Sequence, residues 1–141
     1  MKPFVSALRR LAVTAIDTNI IVRLLTGDDP DQCQQARRIF ESHEVFIPDT
    51  VILETEWVLR FAYKFKPTAI NAAFNKLLGL PNVRVARPDL ISRAIEWHRQ
   101  GLDFADALHL TASQEQTRFL TFDTKLVRKA KGLSNCAVVS P

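Results

Sequence analysis

The sequence predicts an α/β fold with a mainly parallel sheet, and three observations support this prediction. Short apolar runs alternate along the chain with longer stretches of helical periodicity. The short runs are rich in β-branched or aromatic residues, as strands are. The 141 residues suffice for one core, and 47% hydrophobic with 24% charged residues is typical of a globular domain. Alternating strands and helices build βαβ units, in which consecutive strands lie parallel.

Five short runs are the predicted strands. Three of them are apolar almost throughout, which is typical of strands covered on both faces. In sheets of this class, ligands bind beyond the carboxyl ends of the strands. We therefore expect the functional site at those ends. The predicted strands are VTAI (13–16), VFI (45–47), VRVA (83–86), FLTF (119–122) and AVV (137–139).

Seven helices are predicted between and after these runs. Gly27 is a plausible C-terminal cap, and Asp29 with Pro30 is a typical helix start. No repeat or linker divides the sequence, so residues 13–141 are expected to form one domain, preceded by an N-terminal extension, residues 1–12. The predicted helices span residues 20–27, 29–43, 49–65, 67–79, 88–101, 104–116 and 124–132.

Charge, cysteine content and hydropathy narrow the class of protein. The net charge of +4 and the pI of about 9.4 favour polyanionic partners without requiring one. Cys33 and Cys136 lie far apart and form no CxxC motif. This argues against a cysteine-built metal site and favours two reduced thiols in a cytoplasmic protein. No apolar run approaches the ~18 residues of a membrane span, and the N-terminal residues lack the hydrophobic region of a signal peptide.

Two aspartates directly follow predicted strands. Asp17 comes after VTAI and Asp123 after FLTF, and each is followed by a threonine and a predicted helix. A helix cap is one interpretation, because aspartate serves well at that position. The other is that both carboxylates face one crevice, since the carboxyl ends of parallel strands lie at the same edge of a sheet.

A third carboxylate, Glu54, lies within the predicted helix 49–65. Its spacing places it on an otherwise apolar stripe, where a carboxylate is costly unless it is paired. Glu56 is spaced to pair with Arg60 on another face, and we expect it to be solvent-exposed. The apolar members of the Glu54 stripe are Val51, Val58, Phe61 and Phe65.

A fourth candidate is in the segment LDFADALHL. Asp103 and Asp106 are three residues apart and share one side of a helix, and His109 extends that line. Asp103 is best interpreted as a cap or a first-turn acid favoured by the helix dipole. Asp106 lies deeper in the helix, where capping does not explain it. For His109 a structural role is the favoured interpretation.

The chemistry of such a cluster follows from its charge. Carboxylates brought together raise one another's pKa unless a cation intervenes. No lysine or arginine lies in sequence where it would neutralise all four acids. Oxygen ligands suit Mg²⁺ or Mn²⁺, which activate water for phosphodiester displacement. The residues alone thus predict an acidic metal site in a basic α/β domain.

Four motifs together resemble the PIN domain, and more closely the VapC-type toxin ribonucleases of bacterial toxin–antitoxin pairs. They are AIDTN (15–19), VILETEWVL (51–59), DFADALHL (103–110) and LTFD (120–123). The resemblance implies a five-stranded parallel sheet of strand order 3-2-1-4-5. It also implies a Mg²⁺ or Mn²⁺ site, in which Asp103 is auxiliary and the ligands are Asp17, Glu54, Asp106 and Asp123. Polar positions that typically support the acids are Thr18, Asn19 and Thr121.

The resemblance also implies a function: a metal-dependent endoribonuclease that acts on RNA and is held in check by a small antitoxin protein. A homodimer is expected. Two alternatives stay open, namely a housekeeping PIN nuclease and a noncatalytic binding module on the same fold. Candidate contacts to the RNA backbone are Arg23, Lys125, Arg128 and Lys129, although a solvated helix face is the simpler interpretation for each.

Aromatic residues concentrate on the third and fourth predicted helices. Core packing is the default expectation for them, and an exposed part of that surface would instead indicate an interface. His43 and His98 show no ligand spacing and are expected to be structural. The aromatic residues in question are Trp57, Phe61, Tyr63, Phe65 and Phe74.

Overall fold

The computed structural model describes residues 13–141, and the predicted N-terminal extension, residues 1–12, lies outside the described residues. Within that range the chain forms five strands and seven helices. In chain order they are β1 (Thr14–Ala15), α1 (Thr18–Thr26), α2 (Pro30–Ser42), β2 (Val45–Phe46), α3 (Asp49–Phe61), α4 (Pro67–Leu78), β3 (Val83–Arg84), α5 (Pro88–Arg99), α6 (Phe104–Thr111), β4 (Arg118–Leu120), α7 (Thr124–Ala130) and β5 (Ala137–Val139).

The strands form two parallel sheets. One has the order β1-β2-β3, with Thr14 opposite Val45 and Val45 opposite Val83. The other pairs β4 with β5, with Phe119 opposite Val138. The expected five-stranded order 3-2-1-4-5 is therefore wrong, because no ladder joins β1 to β4 among residues 13–141. Strands of two or three residues offer few hydrogen bonds with which to add another neighbour.

Burial of the strands follows from this division. In the central strand β2, Val45 is fully buried, as is Ile47 just beyond it. Both residues of β1 are exposed, and two of the three in β4 are exposed as well. The expectation that the apolar strands are covered on both faces fails for β1 and β4. Each of these strands is at the edge of its sheet.

Local signals in the sequence set most helix ends. Asp29 caps α2 by accepting a 3.0 Å hydrogen bond from the Gln32 amide, and Pro30 fills its first turn. Gly27 ends α1 with φ at 65°, a left-handed conformation that glycine adopts without strain. The predicted helix 49–65 ends earlier, at Phe61, because the chain turns at Lys64 (φ 60°) before Pro67 begins α4.

The core lies among the helices and β2. Helix α3 packs against α1, α4 and α6, while α5 packs against both α4 and α6. Phe74 of α4 and Phe104 at the start of α6 are both fully buried, with ring centroids 5.5 Å apart. This packing holds α3 and α6, which carry two of the candidate acids. No helix within residues 13–141 is both long and apolar enough to span a membrane.

Candidate active site

Asp17 and Asp123 are helix caps as well as strand-end acids. The Asp17 side chain accepts from the Ile20 amide at 3.4 Å, at the start of α1. Asp123 Oδ1 accepts from the amides of Lys125 and Leu126 at 2.9 and 3.2 Å, at the start of α7. Each cap uses one carboxylate oxygen, so the second oxygen of each exposed side chain is available to a ligand.

Glu54 is held by a residue next to Asp17. The buried Thr18 hydroxyl donates a short hydrogen bond to Glu54 Oε1, which links the start of α1 to the middle of α3. Glu54 itself is exposed, not on a core-facing stripe as the sequence predicted. The bond leaves one oxygen of Glu54 free and fixes its direction. Thr18 thus supports Glu54, as the resemblance implied.

The carboxyl of Asp106 is placed where its charged form is disfavoured. It is half-buried on α6, and burial is the main cause that raises the pKa of its carboxyl. The negative charges of Asp103 and Asp123 raise that pKa further, while His109 opposes them. Asp103 caps α6 by accepting from the Asp106 amide at 3.2 Å. Asp106 and Asp123 are therefore close enough for their charges to interact.

These contacts group the acids two by two: Asp17 with Glu54 through Thr18, and Asp106 with Asp123. Within residues 13–141, no three aspartate, glutamate, histidine or cysteine side chains come together closely enough to hold one ion. The strand ends that precede Asp17 and Asp123 belong to separate sheets.

The chemistry of the donor set fits a hard divalent cation. All four candidates are carboxylates, which are the ligands that Mg²⁺ and Mn²⁺ prefer. Among the described residues, none of the four forms a salt bridge with a lysine, arginine or histidine. Their negative charge is thus not neutralised by a salt bridge within residues 13–141.

Glu56 is where the sequence interpretation fails. It is 1% exposed, because α3 buries the face of Ile52, Thr55, Glu56 and Leu59. Glu56 Oε2 accepts from Arg60 Nε at 2.7 Å, and Arg60 Nη2 lies 3.8 Å from Asp103 Oδ1. The predicted pair between Glu56 and Arg60 exists, but it is buried on the glutamate side. It connects α3 to the residue that caps α6.

A second polar contact lies close to that pair. The buried His98 has Nδ1 2.7 Å from Asn71 Oδ1, within hydrogen-bond distance. Burial lowers the pKa of His98, and the charges of Glu56 and Asp103 partly oppose this. His98 thus has the structural role that was expected.

Two of the four candidate RNA contacts form hydrogen bonds to other residues of the chain. Arg23 donates to Gln32 at 2.8 Å and to the Tyr63 hydroxyl at 3.2 Å, and it forms an ion pair with Asp28 at 3.1 Å. Lys129 Nζ donates to the Gly101 carbonyl at 3.0 Å. The exposed Lys125 and Arg128 carry no such contact within the described part of the chain and stay predictions for RNA contacts.

Comparison with protein families identifies the class. Residues 14–132 match the family model described as the PIN domain. The chain therefore belongs to the PIN-domain family, and this part of the predicted resemblance is confirmed.

No curated protein matches the sequence significantly. Among solved structures, the chain is similar to VapC20 of Mycobacterium tuberculosis, described as a sarcin–ricin loop cleaving toxin. The two are 24% identical, and the match covers 92% of this chain and 100% of that chain with a TM-score of 0.41. That TM-score is too low for the match to support a shared function.

Proposed function

We propose that this chain is a metal-dependent endoribonuclease of the PIN family, and that it is the toxin of a type II toxin–antitoxin pair. Membership of the family over residues 14–132 supports nuclease chemistry. The four motifs that resemble VapC-type toxins support the narrower role. The cognate partner would be a small antitoxin protein, and the substrate RNA.

The observation that carries the proposal is the environment of Asp106. Its carboxyl is half-buried beside Asp103 and Asp123, with a raised pKa and no salt bridge of its own within residues 13–141. Like charges held together in a folded protein are stabilised by a cation. We infer that Asp106 with Asp123 forms one half of a divalent-ion site and Asp17 with Glu54 the other, and that a bound cation draws the two halves together.

The roles of the chain's own residues follow from these contacts. Asp17, Glu54, Asp106 and Asp123 would hold Mg²⁺ or Mn²⁺, which when bound supplies an activated water and stabilises charge on the phosphate. Thr18 orients Glu54. Thr121 Oγ1 accepts from the Asp123 amide at 3.0 Å and so orders the turn that presents Asp123.

The test is cleavage of single-stranded RNA by purified protein with Mn²⁺, Mg²⁺ or EDTA. Asp17→Asn and Asp106→Asn should each bring cleavage to background with the fold intact, because each replaces a charged ligand by a near-isostere. Asp89→Asn is the matched control, since Asp89 is an exposed acid on α5. It should cleave like the wild type. Cleavage that persists in EDTA would contradict the metal dependence.

The narrower role is tested in a bacterial host. Expression of the wild type alone should arrest growth, and co-expression of an adjacent small protein should relieve the arrest. Normal growth with abundant RNA-cleaving protein would favour a housekeeping nuclease. Folded protein that binds RNA but cleaves none with any divalent ion would favour the noncatalytic binding module.

A further inference from the structure

Two large aromatic side chains on α3 are exposed to solvent, although core packing was expected for them. Trp57 is 55% exposed and Phe61 48% exposed. Their ring centroids lie 5.0 Å apart, with the planes inclined at 46°. We call these two residues the α3 aromatic pair. Contiguous exposed apolar side chains are typical of surfaces that bind a partner or a ligand.

The α3 aromatic pair lies on the same face of the helix as Glu54. Trp57 is three residues and Phe61 seven residues beyond Glu54, spacings that keep all three on one side of an α-helix. At 1.5 Å per residue, Trp57 lies about 4.5 Å and Phe61 about 10 Å along the axis from Glu54. The exposed surface of Glu54 is therefore continuous with the aromatic surface.

Phe61 is held in place by a charged neighbour. The Arg60 guanidinium lies over its ring, 4.5 Å from the centroid, and is itself held by the buried Glu56. A ring fixed in this way loses little freedom when a flat ligand stacks beside it. The arrangement is thus organised before any ligand arrives.

The ligand that best fits this surface is an unpaired nucleobase. Every base has a flat π face, and proteins that bind single-stranded RNA stack bases on exposed aromatic side chains. A nucleic-acid substrate has to reach Glu54, which lies on the same face of α3, so its bases pass close to the α3 aromatic pair.

We propose that Trp57 and Phe61 form a stacking platform for one or two unpaired bases of single-stranded RNA beside the phosphate that is cleaved. This inference rests on the proposed function, because it assumes that Glu54 belongs to the site of cleavage. It concerns binding, so it can be tested without cleavage. Stacking tolerates any base, so the platform adds affinity without reading sequence.

Tryptophan fluorescence provides a direct readout. The chain has two tryptophans, and Trp97 is 6% exposed whereas Trp57 is open to solvent. A short single-stranded oligonucleotide with 2′-O-methyl sugars, titrated in EDTA, should quench the fluorescence of Trp57 to saturation. Trp97→Phe should preserve the quenching. Trp57→Phe should remove the signal yet retain affinity in fluorescence anisotropy of a labelled oligonucleotide, because phenylalanine still stacks.

Affinity separates stacking from general apolar contact. Trp57→Ala should weaken binding of the oligonucleotide by about fivefold to a hundredfold, the equivalent of about 1–3 kcal/mol per stacked base. Trp57→Leu should weaken it similarly, because leucine supplies apolar area without a π face. Leu80→Ala, which alters another exposed apolar residue away from α3, should bind like the wild type. Thermal melting of each variant checks the fold.

The competing occupant is a second copy of this chain, and sedimentation of the same variants decides between the two. Trp57 fluorescence that changes with protein concentration alone, together with a dimer lost in Trp57→Ala but unchanged RNA affinity, would overturn the platform. Unchanged affinity in Trp57→Ala with normal metal-dependent cleavage would overturn the platform and leave the proposed function standing. Weakened affinity in Trp57→Ala, together with no cleavage by the wild type under any divalent ion, would leave base stacking standing and contradict the proposed function.

Discussion

At the scale of single residues, the charge on Asp106 has a consequence for stability that does not depend on catalysis. Burial together with Asp103 and Asp123 raises the pKa of this carboxyl, so its charged form is disfavoured in the fold. A group whose pKa is higher folded than unfolded binds protons more tightly when folded. Its charge therefore lowers stability near neutral pH, and stability is recovered as the pH falls through the folded pKa.

The expected result is that Asp106→Asn melts at the same temperature as the wild type in EDTA or higher, although most substitutions destabilise. Adding Mn²⁺ should stabilise the wild type by about 2.7 kcal/mol at a hundredfold excess over the dissociation constant, and the variant much less. The measurement is thermal melting at fixed ionic strength, with and without metal.

Asp89→Asn serves as the control for this prediction. Asp89 is exposed in the first turn of α5, where the helix dipole favours a negative charge. Its replacement should lower the melting temperature slightly or leave it unchanged. If Asp106→Asn melted well below the wild type and both responded equally to Mn²⁺, Asp106 would be a structural acceptor and no metal ligand.

At the scale of elements, the face of α3 that is buried is not the face that the sequence predicted to be buried. Apolar residues occur on both sides of this helix, so spacing alone does not say which side is buried. Contacts with α1, α4 and α6 bury the face with Ile52, Glu56 and Leu59. Glu54 is consequently turned outward, where the proposed function needs a ligand for the metal ion.

Glu56→Gln should lower the free energy of unfolding by about 1–3 kcal/mol, since a charged hydrogen bond to Arg60 is replaced by a neutral one in a buried position. The lower half of that range is expected because the Arg60 side chain is 35% exposed and can be hydrated. Chemical denaturation is the measurement. A chemical denaturation curve identical to that of the wild type would mean that Glu56 is solvated, as its spacing first suggested.

The matched control is Glu96→Gln on α5. Glu96 pairs with Arg99 at the surface, and both side chains are about half exposed or more. Exposed ion pairs contribute little to the free energy of unfolding, so this variant should unfold at the same denaturant concentration as the wild type. The comparison separates burial from ion pairing, since both glutamates have an arginine partner within one helical turn.

At the scale of the whole molecule, the strands β4 and β5 with α7 form a unit whose sheet is not shared with the rest. Gln114 joins this unit to α6. Its amide group donates to Ser134 Oγ and to the Leu110 carbonyl, both at 2.9 Å, and its oxygen accepts from the Asn135 amide at 2.9 Å. A separate sheet with few bridges is the kind of segment that opens independently.

Gln114→Ala should therefore speed amide hydrogen exchange in β4 and β5, and leave exchange in β2 unchanged. The physical reason is that the two hydrogen bonds that join Gln114 to Ser134 and Asn135 are lost while the β1-β2-β3 sheet is untouched. Ser113→Ala is the control, because the Ser113 hydroxyl donates to the His109 carbonyl of α6 and to no residue of the β4-β5 unit among the described residues. Equal acceleration in both sheets would mean that residues 13–141 unfold as one cooperative unit.

The positions of the secondary-structure elements and the protein family could be predicted from the sequence alone. All five strands and seven helices of residues 13–141 overlap the predicted ranges, because caps such as Asp29 and breaks such as Gly27 act within a few residues. The helices predicted over 49–65 and 104–116 end earlier, at Phe61 and Thr111. Four short motifs also sufficed for the PIN family. Both features depend on residues that are near one another in the chain.

Two features were decided only by the tertiary structure. The helices packed around α3 decide which of its two glutamates is buried. Both faces of α3 carry enough apolar side chains to face the core. Whether β1 pairs with β4 depended on contacts between residues about a hundred positions apart, which no local pattern encodes.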